Sequence, residues 1–248
     1  MMTASAAFDA IAPRYDELWT RSPAGLSQRR AVWRHVDPLF QPGQTILDIG
    51  CGTGEDARHF MDAGLNVHAI DVSPEMVRIA RARGVDATCM PVEALSGMTG
   101  RFQGAISNFG VLNCVAGLHT ISSAVAEILR PGSFLVLCLL GRFCLWETAW
   151  YLLAARPRKA FRRWKVASHS SSLGIQVSYP SVKNLQRALH PHFTLIRWSG
   201  IGLAVPPSYV RGLAPRIVHL FSSFDRRLAH LPCLRMLADH RLFVFVRK

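Results

Sequence analysis

The sequence lacks any paired arrangement of cysteines. Its six cysteines form no Cys-x-x-Cys pair and show no regular spacing, which excludes the usual patterns of zinc sites and disulfide frameworks. Most of them lie in apolar stretches, as reduced thiols of a cytoplasmic protein do. We therefore expect a cytoplasmic protein without a metal site.

Long apolar runs are also absent. The longest, residues 133–155, is interrupted by Arg142 and Glu147, and neither part reaches the roughly 20 apolar residues that cross a bilayer. Residues 1–16 carry acids instead of a basic start followed by an apolar run, so we expect no signal peptide. With 50% hydrophobic residues and no internal repeat, the 248 residues predict one large domain, with or without a small appendage.

Lysine is absent before residue 141, and acids are scarce after residue 140. Residues 1–140 contain 11 arginines and 13 acids, a net charge of −2, whereas residues 141–248 contain 18 Lys and Arg and 3 acids, a net charge of +15. Such a one-sided charge indicates an anionic partner: nucleic acid, anionic lipid or a phosphorylated substrate. The alternative is an arginine-rich surface that is merely solvated.

Short apolar runs alternate with helical segments between residues 45 and 140. Strands are predicted at 45–49, 66–70, 85–90, 102–107 and 134–140, and helices at 55–63, 74–84 and 118–129. This alternation is typical of βαβ units in an α/β fold with a parallel, doubly wound sheet.

The pattern is less regular outside this region. We predict a helix over 5–20, one long or two short helices over 143–165, and a polar loop at 168–172. A helix at 181–189 and a strand at 193–198 follow, then a helix near 216–228 and a last strand at 241–246.

A glycine-rich loop, residues 50–54, follows the first predicted strand. Glycines permit positive φ and let a ligand lie directly on the backbone. Ligands of such sheets bind at the carboxyl ends of the strands. There, Asp71 at the end of the second strand suits the two hydroxyls of an adenosine ribose. The site fits a dinucleotide or another adenosyl cofactor.

Charged residues around the loop separate these two cofactors. The dinucleotide fingerprint needs Gly or Ala at its last position, where this chain has Glu55, followed by Asp56. Two carboxylates at a helix start repel a pyrophosphate, and Asp48 suits a cationic amino group. The charges therefore favour S-adenosylmethionine, which has an ammonium, a sulfonium and no phosphate, over NAD.

Two segments carry a resemblance to a known family. ILDIGCGTG at 46–54 and HAIDVSPEMVRIARARG at 68–84 resemble the class I S-adenosylmethionine-dependent methyltransferases, and most of all the small-molecule branch that includes ubiquinone and menaquinone methyltransferases. The resemblance covers about 8–140 and 241–247, and Tyr15-Asp16 is similar to the Tyr-Asp of the family's lid helix. It implies a Rossmann-like sheet of seven strands whose last strand is antiparallel, with S-adenosylhomocysteine as product.

The resemblance also implies a division of the chain. Residues 1–44 would form lid helices, 45–140 the cofactor-binding core, 141–240 a basic, aromatic-rich cap that shapes the acceptor site and includes two sheet elements, and 241–248 the closing strand.

The cofactor-binding residues carried over by position lie in four segments. Pro91 stands where the family often has an acid for the adenine amino group, so this contact passes to Val92 and Glu93. The full set is Asp48, Gly50, Cys51, Gly52, Gly54, Asp71, Val72, Met76, Val92, Glu93 and Asn108.

Residues for the acceptor and for catalysis are weaker predictions. A base is needed only where the acceptor loses a proton, and the candidates are His169, Tyr15, His119 and His240, with Glu147 besides. Candidate substrate contacts are Phe109, Trp146, Trp150 and Tyr209. The loop at 107–113 lacks the Asn-Pro-Pro-aromatic signature of enzymes that methylate exocyclic amino groups, which disfavours methylation of nucleic-acid bases.

An aromatic block at 143–153 precedes a basic cluster at 156–165. This combination fits an interfacial helix at an anionic membrane, an RNA-binding surface, or a lid helix packed on the core with a solvated basic end. We expect a cytoplasmic enzyme, without membrane-spanning segments but able to lie at a membrane surface. It would methylate oxygen or carbon of a small, fairly apolar metabolite or lipid-like intermediate. An RNA methyltransferase and a non-catalytic binding protein of the same fold are the alternatives.

Overall fold

A seven-stranded sheet forms the centre of the protein. The computed structural model describes residues 3–98, 101–115, 117–165, 167–169, 174–208, 210 and 212–248. The strands lie in the order β3 (Asp86–Cys89), β2 (Asn66–Asp71), β1 (Thr45–Ile49), β4 (Phe102–Ser107), β5 (Leu129–Leu140), β9 (His240–Arg247) and β8 (Phe193–Ile201). β9 runs antiparallel to both of its neighbours, and the others are parallel. The predicted sheet, with its antiparallel last strand, is confirmed.

Helices cover both faces of the sheet. The first half contributes α1 (Ala4–Ile11), α2 (Pro23–Val36), α3 (Glu55–Asp62), α4 (Pro74–Ala82) and α5 (Leu118–Ile128). The second half contributes α6 (Leu145–Leu153), α7 (Pro157–Ala160), α8 (Val182–Leu189) and α9 (Pro215–Leu228). α5 and α8 pack on one face, and α2, α3 and α4 on the other. β5 is buried on both faces, which explains its continuous apolar run.

The N-terminal helix is shorter than predicted, and a second helix follows it. α1 ends at Ile11 because Pro13 has no N–H for helical hydrogen bonding, and the chain continues in a 3-10 turn and a π-helical turn up to Thr20. The sequence reading missed α2, although Ser22 caps it and Pro23 occupies its first turn.

The region after residue 140 agrees with the prediction in its helices and differs in its predicted loop. The stretch 143–165 forms two short helices, and the second begins at Pro157. The polar loop predicted at 168–172 is wrong in part, because Ala167–His169 (β6) pairs with Gln176–Ser178 (β7) as an antiparallel ribbon; residues 170–173 lie outside the described residues. Val177 packs against α1, so tertiary contact rather than local sequence pattern stabilises this ribbon. In the described part of the chain, no helix has both the length and the apolar character to cross a membrane.

Candidate active site

A cavity of about 410 Å³ opens at the carboxyl edge of the parallel strands. The segments that follow β1, β2 and β4 line it, together with the last residue of β5. β9 runs antiparallel, so its first residue, His240, lies opposite Leu140 at this same edge. The volume is within the range of about 300–1,000 Å³ that small-molecule sites occupy.

The glycine loop is shaped for close approach of a ligand. Gly50 has φ of +75°, and a Cβ there would lie 2.4 Å from a methyl carbon of Val111, so a larger residue does not fit. The carboxylate of Asp71 accepts the backbone N–H of Gly52 at 2.8 Å and that of Ser73 at 2.9 Å. Burial raises the pKa of Asp71. Asp71 therefore ties the loop after β1 to the end of β2.

Most of the residues carried over from the resemblance line the cavity. These are Gly50, Cys51, Gly52, Asp71, Val72, Met76, Val92, Glu93 and Asn108. Gly54 begins α3 and does not contribute to the wall.

Asp48 lies behind the wall, with 1% of its surface exposed. Burial and the neighbouring Asp56 raise its pKa well above the usual range, and its Oδ2 has no hydrogen-bond partner within the described residues. Asp48 thus lies beneath the loop, and its contact with the cofactor stays a prediction.

A buried ion pair stands in the wall instead. Asp56 is 2.5 Å from the guanidinium of Arg29 and accepts hydrogen bonds from Trp33 Nε1 at 2.7 Å and Asn108 Nδ2 at 3.0 Å. Arg29 and Asp56 both line the cavity. The pair could hold an amino-acid zwitterion, since the guanidinium suits its carboxylate and Asp56 its ammonium. Sequence reasoning missed Arg29 because it missed α2.

The acid pair at the start of α3 is neutralised in the fold. Asp56 is paired with Arg29, and Glu55 lies 3.3 Å from Arg83. Repulsion of a pyrophosphate by these acids is therefore weaker than the sequence alone predicted. The fit to S-adenosylmethionine depends on the glycine cradle, the Asp71 carboxylate, the Arg29–Asp56 pair and the apolar wall of Val72 and Met76.

The N-terminal segment closes over the glycine loop. Tyr15 lines the cavity, and burial raises the pKa of its hydroxyl, which stays protonated and can donate a hydrogen bond. Asp16 accepts a hydrogen bond from the Thr53 hydroxyl at 2.7 Å and pairs with Arg83. Asp9 accepts from the Ser73 hydroxyl at 2.5 Å. Two carboxylates thus fasten this segment to the cofactor-binding region.

Phe109 lies in the cavity wall between Arg29 and His240. Its backbone has φ of +51°, which is uncommon for a bulky residue and is typical of functional sites. The guanidinium of Arg29 lies 4.8 Å from the centroid of its ring, and the ring of His240 meets it edge-on at 5.2 Å.

His240 and the preceding Asp239 form a close pair, here called the dyad, whose contact has ion-pair distance without hydrogen-bond geometry. Its Nδ1 lies 3.3 Å from Oδ2 of Asp239, and Oδ1 of Asp239 lies 2.9 Å from Nη1 of Arg163. Burial acts to raise the pKa of Asp239, but His240 and Arg163 outweigh it and hold that pKa well below its usual range. The carboxylate is therefore ionised beside the imidazole.

Glu147 is not available as a base. It is 1% exposed and accepts hydrogen bonds from Arg162 Nε at 2.7 Å and Arg163 Nε at 3.0 Å. Both arginines line the cavity, so this ion cluster connects the start of α6 to the cavity wall.

The remaining candidates lie elsewhere. Trp146 donates to the carbonyl of Ala204 at 2.8 Å, Trp150 is 45% exposed, and neither lines the cavity. His119 is exposed near the start of α5. Tyr209 and the side chain of His169 lie outside the described residues. Within the described residues, no group of His, Cys, Asp and Glu could hold a metal ion.

Known proteins are similar to this chain in sequence and in fold. The family model described as "Methyltransferase domain" matches residues 46–132. A demethylmenaquinone methyltransferase of Renibacterium salmoninarum is 32% identical over 171 residues, which cover 64% of this chain and 69% of that protein. A ubiquinone biosynthesis O-methyltransferase of Xanthomonas oryzae pv. oryzae is 36% identical over 107 residues, 40% of this chain and 44% of that protein.

A solved structure extends the similarity to the whole fold. The CcbJ methyltransferase from Streptomyces caelestis superposes with a TM-score of 0.63 over 99% of both chains, at 16% identity. At that identity the structural match shows the fold alone. Membership of the family rests on the relatives found by sequence. The chain belongs to the class I S-adenosylmethionine-dependent methyltransferases.

Proposed function

We propose that this methyltransferase acts on a small, fairly apolar acceptor of the quinol type or a similar lipid-like intermediate, at oxygen or at an activated ring carbon. The observation that carries the proposal is the Asp239–His240 dyad, which lies in the same cavity as the glycine loop and Asp71. The names of the two relatives support it, since one concerns a menaquinone precursor and the other ubiquinone biosynthesis.

Apolar side chains support an acceptor of low polarity. Beyond the cofactor residues, the cavity is lined by side chains from the N-terminal segment, the loop after β4, the end of β5 and the β6–β7 ribbon. They include Phe8, Ile11, Val111, Val115, Leu140 and Val177. Their surface would bury an apolar ring, while the dyad would face its hydroxyl.

In the proposed reaction His240 takes the proton of an acceptor hydroxyl. S-adenosylmethionine would supply the methyl group: the acceptor attacks the methyl carbon in line with the departing sulfur, and the C–S bond breaks to leave the thioether of S-adenosylhomocysteine. Such a displacement depends mainly on alignment. Asp239 orients the imidazole and stabilises it once it is protonated. A deprotonated phenol is nucleophilic at its oxygen and at neighbouring ring carbons, so one base serves the first step of either outcome. On the carbon route the methylated ring carbon then gives its proton to water, and the carbonyl oxygen takes the proton back from His240, which restores the aromatic ring. The Tyr15 hydroxyl and the Arg29–Asp56 pair position the cofactor and take no part in proton transfer.

His240→Gln is the direct test. We expect the variant to lose about 10²–10⁴-fold in kcat, because general-base catalysis contributes about this much. Its affinity for S-adenosylhomocysteine should remain unchanged. His119→Gln is the matched control, since this histidine is exposed and outside the cavity.

Turnover is measured with a labelled methyl group and a short-chain quinol, and mass spectrometry of the product locates the methyl on oxygen or carbon. A His240→Gln variant with wild-type kcat would show that another group, or none, removes the proton. Absence of turnover by the wild type on any quinol, with cofactor bound, would contradict the acceptor class.

A further inference from the structure

All acidic side chains of the basic half of the chain, residues 141–248, are buried. Between residues 141 and 248 the sequence has three acidic residues, Glu147, Asp225 and Asp239, and they are 1%, 8% and 3% exposed. Its exposed charges are therefore all positive, including Arg156, Arg158, Lys159 and Lys165 around α7.

The same half carries the exposed apolar surface. Every large apolar side chain that is exposed in the described part of the chain lies beyond residue 140. In and after α6 these are Leu145, Trp150, Leu152, Leu153, Phe161 and Trp164, and Leu153 is 87% exposed. On α9 they are Ile217, Leu220 and Phe224, spaced as one stripe of a helix.

α6 and α9 are neighbours in the fold. The rings of Trp146 on α6 and Phe221 on α9 lie 6.0 Å apart between centroids. Basic residues border α9 as they border α6, since Arg216, Arg226 and Arg227 are exposed. We call the exposed residues of 145–165 and of α9 the basic-apolar surface.

We propose that the basic-apolar surface docks on an anionic lipid bilayer. Exposed leucines such as Leu152 and Leu153 enter the boundary between headgroups and acyl chains, and the flanking cations bind anionic headgroups. Aliphatic side chains do not stack on bases, so this composition favours lipid over RNA. The absence of exposed acids removes repulsion along the whole half.

Arg162 and Arg163 do not belong to this surface, although they lie within the basic cluster of the sequence. Both bind Glu147, and both line the cavity. The docking segment is therefore continuous in sequence with the cavity wall, which suits a lipid-like acceptor. The idea that the acceptor reaches the cavity from the membrane rests on the proposed function. Docking itself is measured without acceptor or turnover.

Vesicle co-sedimentation of the whole chain tests the proposal. We expect binding to vesicles of phosphatidylglycerol and phosphatidylcholine at low salt, weakened by high salt, and little binding to phosphatidylcholine alone. Replacing Arg156, Arg158, Lys159 and Lys165 by Gln should weaken binding at least 100-fold, as about fivefold is lost per charge. Leu152→Ser with Leu153→Ser should weaken binding at least tenfold. The control is Lys183→Gln with Arg187→Gln on α8, which removes two exposed cations that lie outside the basic-apolar surface. Its binding should be only slightly weaker than that of the wild type.

Affinity for S-adenosylhomocysteine shows that each variant is folded, and if the fourfold variant misfolds, the leucine variant alone decides. Equal binding to neutral and anionic vesicles, or full binding by the leucine variant, would overturn the proposal. Binding of RNA without binding of vesicles would replace lipid with nucleic acid as the partner. Turnover on a water-soluble quinol is recorded separately, so failure of docking is distinguished from failure of the acceptor assignment.

Discussion

Asp71 illustrates how one carboxylate serves both the loop and its ligand. Its two oxygens accept the backbone N–H groups of Gly52 and Ser73, which fixes the glycine loop beside the end of β2. The remaining acceptor capacity of the same oxygens faces the cavity, where a ribose would offer two hydroxyl donors.

We expect Asp71→Ala to weaken binding of S-adenosylhomocysteine by about 1–3 kcal/mol, the range for hydrogen bonds to a charged group, or about 5- to 150-fold. Isothermal titration calorimetry measures the change. Asp86→Ala is the control, since Asp86 is exposed at the start of β3 and pairs with His68. Tight binding of NAD, with none of the sulfonium cofactor, would contradict the cofactor assignment itself.

At the scale of elements, polar contacts add to the packing of the N-terminal segment, in which α1 contacts Val177. Arg83 at the end of α4 pairs with Asp16 of this segment and with Glu55 of α3. We expect local opening of this segment to cost less free energy than global unfolding, because terminal segments open as local units.

Arg83→Gln should loosen the lid. We expect faster amide hydrogen exchange over residues 4–20 and faster dissociation of S-adenosylhomocysteine, measured by stopped-flow fluorescence. Arg78→Gln on the exposed side of α4, where Arg78 pairs only with Glu75 among the described contacts, is the control. Unchanged exchange in Arg83→Gln would mean that other contacts keep the segment closed.

Elements with strong local signals could be predicted from the sequence, and those held by tertiary contact could not. The five strands at 45–140 are recognisable from short apolar segments bounded by turns. The glycine loop and the acids around it indicate an adenosyl cofactor. The β6–β7 ribbon has no such pattern and depends on Val177 packing against α1. The positions of Arg29 and His240 at the cavity depend on tertiary structure. α2 brings Arg29 to the cavity, and the antiparallel direction of β9 places His240 there.

For the whole molecule, a buried ion cluster connects the basic half to the core. Glu147 binds Arg162 and Arg163, and Arg163 also binds Asp239. Burial acts to raise the pKa of Glu147, but the two arginines outweigh it and lower that pKa overall. A lowered carboxyl pKa stabilises the fold above the usual value of about 4, and this stabilisation is lost as the pH falls below it.

Glu147→Gln should therefore be strongly destabilising, because it leaves Arg163 buried without its full counter-charge. Breaking a buried pair costs about 3–5 kcal/mol, which lowers Tm by about 6–20 °C in a protein of this size. Differential scanning calorimetry at pH 7 and at pH 3 measures it, and the difference from the wild type should shrink at pH 3. Glu75→Gln, which breaks an exposed pair, should shift Tm by under about 4 °C. An equal shift in both variants would show that the cluster adds no stability.

The burial of all three acids in the basic half also governs how proteases meet the native protein. An endoprotease specific for glutamate and aspartate finds no exposed site between residues 141 and 248, whereas trypsin finds many exposed arginines and lysines there. Nicking by the first enzyme is therefore confined to the cofactor-binding half until the fold opens, and cleavage within the second half reports unfolding.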